Sequence, residues 1–278
     1  MDALDFLISV IYGIVEGITE WLPVSSTGHM ILLKEFLPLN VSDEFWEMYL
    51  EIIQLGAVIA VFVIFRKRLW PFKLPAEGGG IEIKRKSLRL WQLMIVSCLP
   101  AVVFALIGLD SWFKERFYNY KGVAAALIIF GLAIIAVEIY RKGKPVRVEK
   151  VLEITMKDAL IIGVFQLLAA MFPGTSRSAA TIVGAMLIGI SRPVAAEFTF
   201  LLSFPVMFGA SLLEIIRCKG VTGGEVGLLL TGMVVAFVVS MAVIRFLTRF
   251  VRKNDLRVFG YYRIVLGLLV LLYFAIAG

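Results

Sequence analysis

Six stretches of this chain, near residues 48–65, 91–109, 122–140, 195–216, 226–247 and 259–277, are apolar and almost free of charge. A helix needs roughly 20 apolar residues to cross a hydrocarbon layer about 30 Å thick, so each run is long enough to span a membrane. With 60% of the 278 residues hydrophobic and 18% charged, a water-soluble domain of this size would expose far more apolar surface than it could tolerate. The expectation is an all-α integral membrane protein with six full spans and no separate soluble domain.

Two further apolar segments, about 3–33 and 157–190, are interrupted by PVSSTG at 23–28 and PGTSRS at 173–178. Non-helical backbone at membrane depth survives only where it is buried in protein or lines a polar cavity. Each segment is therefore expected to be a re-entrant hairpin of two short helices.

Basic residues test this order of elements. The stretch 66–89 holds eight, 141–157 six and 245–263 six, whereas the alternate connections hold six between them (Lys34; Lys114, Arg116 and Lys121; Arg217 and Lys219). Loops rich in Lys and Arg face the cytoplasm, which puts both termini on the other side. The net charge of +7 then needs no nucleic-acid partner, since no basic patch alternates with exposed aromatics. Arg192 suits the cytoplasmic return of the second hairpin, and Arg177 stands deep in the membrane. The first hairpin enters from outside and the second from inside. Each half holds one hairpin and three spans, so a single membrane domain of two halves, about 1–141 and about 155–278, is expected to form an inverted-topology repeat. Such folds place their sites near the midplane where broken helices meet.

Faint internal matches agree: at an offset of 150, Gly13 aligns with Gly163, Glu16 with Gln166, Pro23 with Pro173 and Ser26 with Ser176, and at 146 Glu51 aligns with Glu197. Cys98 and Cys218 lie in or beside apolar runs and suggest neither a disulfide framework nor a thiol metal site. The start, Met-Asp-Ala-Leu-Asp, is acidic and its apolar stretch carries Glu16 and Glu20, unlike a cleavable signal. Gly184, Gly189, Gly209 and Ala210 permit close helix contact, within one subunit or across a homodimer.

Glu16 and Glu20, four residues apart, share one helix face, and carboxylates inside an apolar segment mark function by default. Pro23 ends that helix. Ser25, Ser26 and Thr27 then stand where a new helix leaves free N–H groups, which suits capping and also anion binding. His29, the single histidine, is three residues from Ser26. A hydroxyl, an imidazole and a carboxylate in one hairpin read as nucleophile, base and orienting group, although attack by His29 or by water remains open. In the second hairpin Gly174, Thr175, Ser176 and Ser178 repeat the hydroxyl-rich helix start. Arg177 adds a planar cation suited to phosphate, or to pairing with Glu16 or Glu20 until an anion arrives. Carboxylates beside a phosphate suit a bridging divalent cation, Mg²⁺ or Ca²⁺, on Glu16 and Glu20. Phosphoryl transfer on a lipid phosphate reached through the bilayer is the reaction class this set supports.

At these motifs, EGITEWLPVSSTGHM at 16–30 and PGTSRSAATI at 173–182, and in element order over essentially the whole chain, the sequence resembles the undecaprenyl-diphosphate phosphatases of the bacitracin-resistance family. The resemblance implies hydrolysis of undecaprenyl diphosphate to the monophosphate and phosphate. That reaction recycles the lipid carrier of peptidoglycan synthesis, at a site open to the extracytoplasmic face of the bacterial cytoplasmic membrane. It implies functional roles for Glu16, Glu20, Ser26, His29 and Arg177, and a divalent cation. Ala179 departs from the family's usual glycine without removing a chemical group. An alternative from another class is a transporter or flippase of an anionic polyprenyl lipid, since inverted repeats with broken helices also suit transport.

Overall fold

The computed structural model describes residues 2–73, 82–217 and 220–277, so Cys218 and Lys219 lie outside the described residues. Helix α1 (Ala3–Thr19) is followed after a break by α2 (Ser26–Phe36), then α3 (Asp43–Leu69), α4 (Arg85–Leu106), α5 (Leu109–Phe117) and α6 (Tyr120–Arg141). Helix α7 (Met156–Met171) is followed after a second break by α8 (Arg177–Leu187), then α9 (Arg192–Arg217), α10 (Gly223–Lys253) and α11 (Arg257–Ala277). Helices α3, α4, α6, α9, α10 and α11 are long and apolar enough to cross a membrane, and they coincide with the six expected runs. The structure is that of an all-α membrane protein. Two small features were not expected: α5, which begins where the second apolar run was read to its end, and an antiparallel strand pair, β1 (Phe72–Lys73) with β2 (Glu82–Ile83).

Helix starts follow from local chemistry. Asp2 with Asp5 opens α1 and Thr155 with Asp158 opens α7, each as a reciprocal pair in which side chains satisfy N–H groups the helix leaves free. Helix α3 carries Asp43 and Glu44 in its first turn and Arg66, Lys67 and Arg68 in its last, which complements the helix dipole at both ends.

Packing between the elements has a regular pattern. α1 packs against α10 and α7 against α4, while α3 packs against α9 and α6 against α11. Exchanging the elements of the first half for those of the second maps this set of contacts onto itself. The closest approaches obey the same exchange. A Cβ on Gly13 would stand 2.6 Å from the carbonyl oxygen of Gly232 in α10, and one on Gly163 would stand 2.4 Å from that of Ser97 in α4. The aligned glycines therefore serve the same purpose, letting two backbones touch. Of the small residues singled out for close contact, Gly184 meets the Phe165 ring within the chain, Gly189 sits in a turn at φ +88°, and Gly209 has nothing within 4 Å.

The basic loops gather at one end. Arg68 pairs with Glu197, Arg89 donates to the Ile154 carbonyl, and Arg192 donates to the Asn254 carbonyl. One residue counted with the loop group 245–263 does not belong there: Arg263 is 0% exposed within α11. The first break is buried too, with the Trp21 indole edge-on to Phe200 of α9 at 5.8 Å.

Replacing Gly163 by Ala is expected to lower the thermal unfolding temperature in detergent, because forcing a methyl against backbone typically costs about 1–3 kcal/mol. Gly209→Ala, facing open space, should leave it unchanged; equal effects of the two would contradict the close-approach reading.

Candidate active site

The two breaks share one backbone plan. In the first, Pro23 follows the end of α1 and Ser25 turns to φ +75° before α2; in the second, Pro173 follows α7 and Ser176 turns to φ +68° before α8. These are the two non-glycine residues with positive φ among the described residues. Such conformations cost about 1–3 kcal/mol each and persist where the surroundings hold them. Each serine caps its new helix, Ser25 Oγ accepting from Gly28 N–H at 3.4 Å and Ser176 Oγ from Ala179 N–H at 3.3 Å. Ser25 therefore matches Ser176, and Ser26 matches Arg177. The offset of 150, which paired Ser26 with Ser176, is one residue out here because the second turn is one residue longer between its proline and its cap.

Ser26 and Arg177 consequently hold the same place at the starts of α2 and α8, and they converge on one carboxylate. Ser26 Oγ donates to Glu20 Oε2 at 2.9 Å, and Arg177 Nη2 donates to Glu20 Oε1 at 3.0 Å. The Arg177 and Glu20 side chains are 12% and 10% exposed, so the charges lie largely out of water, where each needs the other. Arg177 Nη1 donates to the Thr199 carbonyl of α9 at 3.2 Å. Ser178 Oγ reaches the carbonyls of Leu22 at 3.3 Å and Glu20 at 3.4 Å and hydrogen-bonds Ser176 Oγ at 3.0 Å. The second motif is thus stitched onto the first.

A cavity of about 260 Å³ opens over this junction, with Glu20, Ser25, Ser26, Thr27, Gly174, Ser176 and Arg177 in its wall. A second cavity of about 510 Å³ also touches Ser26 and Thr27 and extends past Glu16 to Lys34, Asp43 and Tyr118. Glu16 is 2% exposed and its Oε1 has no hydrogen-bond partner among the described residues. Thr175 lies behind the wall, fully buried, with its hydroxyl also unpartnered.

His29 is placed differently from the sequence expectation. Its Nδ1 is 2.7 Å from the Ser25 carbonyl and its Nε2 is 2.7 Å from the Tyr262 hydroxyl, with the two rings stacked at 5.7 Å and 6°. A carbonyl only accepts, so Nδ1 carries the proton, and in the neutral ring Nε2 then accepts from the Tyr262 hydroxyl. Neither nitrogen bonds Ser26, whose hydroxyl faces Glu20 instead.

Arg263 was missed as a site residue. Its guanidinium donates to the carbonyls of Gly174 and Thr175 at 2.9 Å each, of Pro23 at 3.3 Å, and of Ala126 and Leu127 in α6 at 3.3 Å each. One side chain thereby ties both breaks to the α6–α11 pair. An Arg inside the run YYRIVLGLL was the available signal, masked by its nearness to loop cations. Tyr262, beside it, gave no signal beyond its aromatic character.

Arg263→Met would strand these buried carbonyls, each worth about 1–3 kcal/mol when unpaired. A large fall in thermal unfolding temperature is expected, with partial recovery in Arg263→Lys. An unchanged transition in the Met variant would contradict the clamp.

Compared with known proteins, residues 9–269 match the family model described as bacitracin resistance protein BacA. An undecaprenyl-diphosphatase of Desulfitobacterium hafniense is 52% identical over 99% of this chain and 98% of its own length. Proteins of the same name from Acetivibrio thermocellus and Enterococcus faecalis are 49% and 48% identical, covering 98% and 95% of this chain and 98% and 96% of their own. With the match spanning both breaks and every long helix, the chain belongs to the bacitracin resistance protein BacA family.

Proposed function

We propose that this protein hydrolyses undecaprenyl diphosphate to undecaprenyl phosphate and inorganic phosphate at the junction of its two helix breaks, with Ser26 as nucleophile and Glu20 as its base. The activity is that of its near-full-length relatives, each an undecaprenyl-diphosphatase. The observation that carries the residue assignment is the shared carboxylate, with Ser26 on one oxygen of Glu20 and Arg177 on the other.

The steps follow from that geometry. Arg177 leaves Glu20 for the incoming diphosphate, whose oxygens offer it a bidentate partner. Free N–H groups at the starts of α2 and α8 add donors for the same anion. Glu20, released from its cation, accepts the Ser26 proton as Ser26 Oγ attacks the terminal phosphorus. The bond to the bridging oxygen breaks, Glu20 passes the proton it holds to that oxygen, and undecaprenyl phosphate departs. Glu20, again a carboxylate, then takes a proton from the water that attacks the phosphoserine and returns it to Ser26 Oγ as the P–O bond breaks, giving inorganic phosphate and free Ser26. His29 orders the start of α2 by holding the Ser25 carbonyl against Tyr262.

A divalent cation fits part of the arrangement. Mg²⁺ and Ca²⁺ take oxygen ligands, and Mg²⁺ is commonly held by one or two carboxylates plus substrate phosphate. The unpartnered buried oxygen of Glu16 is the protein group best suited to it, since Glu20 already serves Ser26 and Arg177. Among the described residues no three acidic, histidine or cysteine side chains form a ready metal cage, so the substrate oxygens and water would complete the set. Such an ion would supply charge neutralisation at the diphosphate.

The orientation expected from the basic loops, with the site facing the extracytoplasmic side of the bacterial cytoplasmic membrane and both termini there, is supported by the larger cavity. That cavity runs to Lys34, Asp43 and Tyr118, at connections opposite the basic end. The exchange symmetry of the helix contacts supports an inverted repeat in which the breaks are re-entrant hairpins.

Purified protein in detergent is expected to release phosphate from a polyprenyl diphosphate, and Ser26→Ala to lose about a thousandfold or more, as removal of a nucleophile does. An acid-quenched turnover should trap phosphate on Ser26; phosphate mapped to His29, or full activity in Ser26→Ala, would contradict the assignment. Chelation is expected to abolish turnover and added Mg²⁺ or Ca²⁺ to restore it. Glu16→Gln should raise the cation concentration needed for half-maximal rate, and an unchanged cation dependence would remove Glu16 from that role.

A further inference from the structure

At the basic end of the bundle, remote from Ser26, the C-terminal turn of α6, the α8–α9 connection and the α10–α11 connection enclose a cavity of about 390 Å³. Six cations line it: Arg141, Lys142, Lys144, Arg192, Arg252 and Arg257. Its two carboxylates are already used. Glu138 receives Arg192 at 2.7 and 2.5 Å and the Leu256 N–H at 2.8 Å, and Asp255 receives Arg257 at 2.9 and 2.7 Å. The Arg257 hydrogen bonds hold the Asp255 carboxyl below the usual carboxylate range, so that pair stays ionised and closed. Arg141, Lys142, Lys144 and Arg252 have no carboxylate partner among the described residues.

The same cavity has an apolar floor and lip. Met186, Ile190 and Val251 line its base, while Ile139 and Val146 in its wall are 60% and 46% exposed. Beyond it on α11, Val258 and Tyr261 are 53% and 56% exposed. Surplus positive charge over apolar residues that continue onto the bundle surface matches a ligand with an anionic head and hydrocarbon chains. A free anion would leave the apolar lip unused.

We propose that this cavity is a binding site for the phosphodiester head group of an anionic glycerophospholipid from the leaflet at the basic end. Arg141, Lys142, Lys144 and Arg252 hold the phosphate, and the acyl chains run down past Ile139 and Val258. Basic pockets between helices are suited to such head groups. The site is separate from the reaction, because the whole of α8, 11 residues or roughly 16 Å, lies between Arg177 and the cavity. A bound lipid would add to the hydrogen bonds that already join these three connections through Glu138, Arg192, Asn254 and Leu256, and so should stabilise the fold.

The test uses the full-length protein in neutral detergent and reads thermal unfolding with added phosphatidylglycerol, phosphatidylcholine or inorganic phosphate. Phosphatidylglycerol should raise the unfolding temperature of the unmodified protein and phosphatidylcholine should not. The triple variant Lys142→Gln, Lys144→Gln, Arg252→Gln should need about a hundredfold more phosphatidylglycerol for the same rise, at about fivefold per cation lost. A charge-matched control, Lys67→Gln, Lys84→Gln, Lys86→Gln, removes three of the five cations lining a separate basic cavity of this end and should respond like the unmodified protein. Equal responses of the two triple variants would overturn the proposal, as would an equal rise with phosphatidylcholine. A rise reproduced by inorganic phosphate alone would identify an anion site and overturn the lipid assignment.

Discussion

An ionised carboxylate held largely out of water is costly without a partner, and Glu20, paired on both oxygens, links the two breaks of this molecule. Its two oxygens receive Ser26 from the start of α2 and Arg177 from the start of α8. Breaking a buried pair by removing one partner leaves an uncompensated charge and typically costs about 3–5 kcal/mol. The resting protein therefore has a strong reason to keep the two breaks together. The same pairing suits phosphate chemistry, because an anionic substrate gives Arg177 an alternative partner and frees Glu20 to accept a proton.

What surrounds the pair explains why two irregular turns persist in an apolar chain. Ser25 and Ser176 both hold backbone conformations that residues with a Cβ seldom adopt. The carbonyls exposed by the breaks at Pro23, Gly174 and Thr175 all turn to the Arg263 guanidinium. Arg177 pairs with the Glu20 side chain at the cavity wall, and Arg263 holds backbone carbonyls of both breaks behind it. On the proposed function, the first cation serves the substrate and the second the scaffold.

Much of this was legible in the sequence. Long apolar runs have one physical solution in a bilayer, so the six spans fell where hydrophobicity placed them. Proline, glycine and hydroxyl residues marked both breaks, because helix termination and capping are local effects. What local sequence could not show were matters of three-dimensional direction. A spacing of three placed His29 near Ser26 along the helix, but the imidazole folds back onto the Ser25 carbonyl and stacks on Tyr262 of α11, a partner 233 residues away. Arg263 was read with the loop cations, since a count by position cannot tell a residue one turn outside the membrane from one turned inward. The likeness of the two breaks was visible, yet its register slipped by one where the second turn takes an extra residue before its cap.

The most direct test of the shared carboxylate is a double-mutant cycle on kcat/KM for phosphate release, using Glu20→Gln, Arg177→Lys and the pair together. If both residues serve one constellation, the double variant should be little worse than the more damaging single variant, since groups that act as a unit are strongly non-additive. Losses that simply multiply would show two independent contributions and contradict the single composite site.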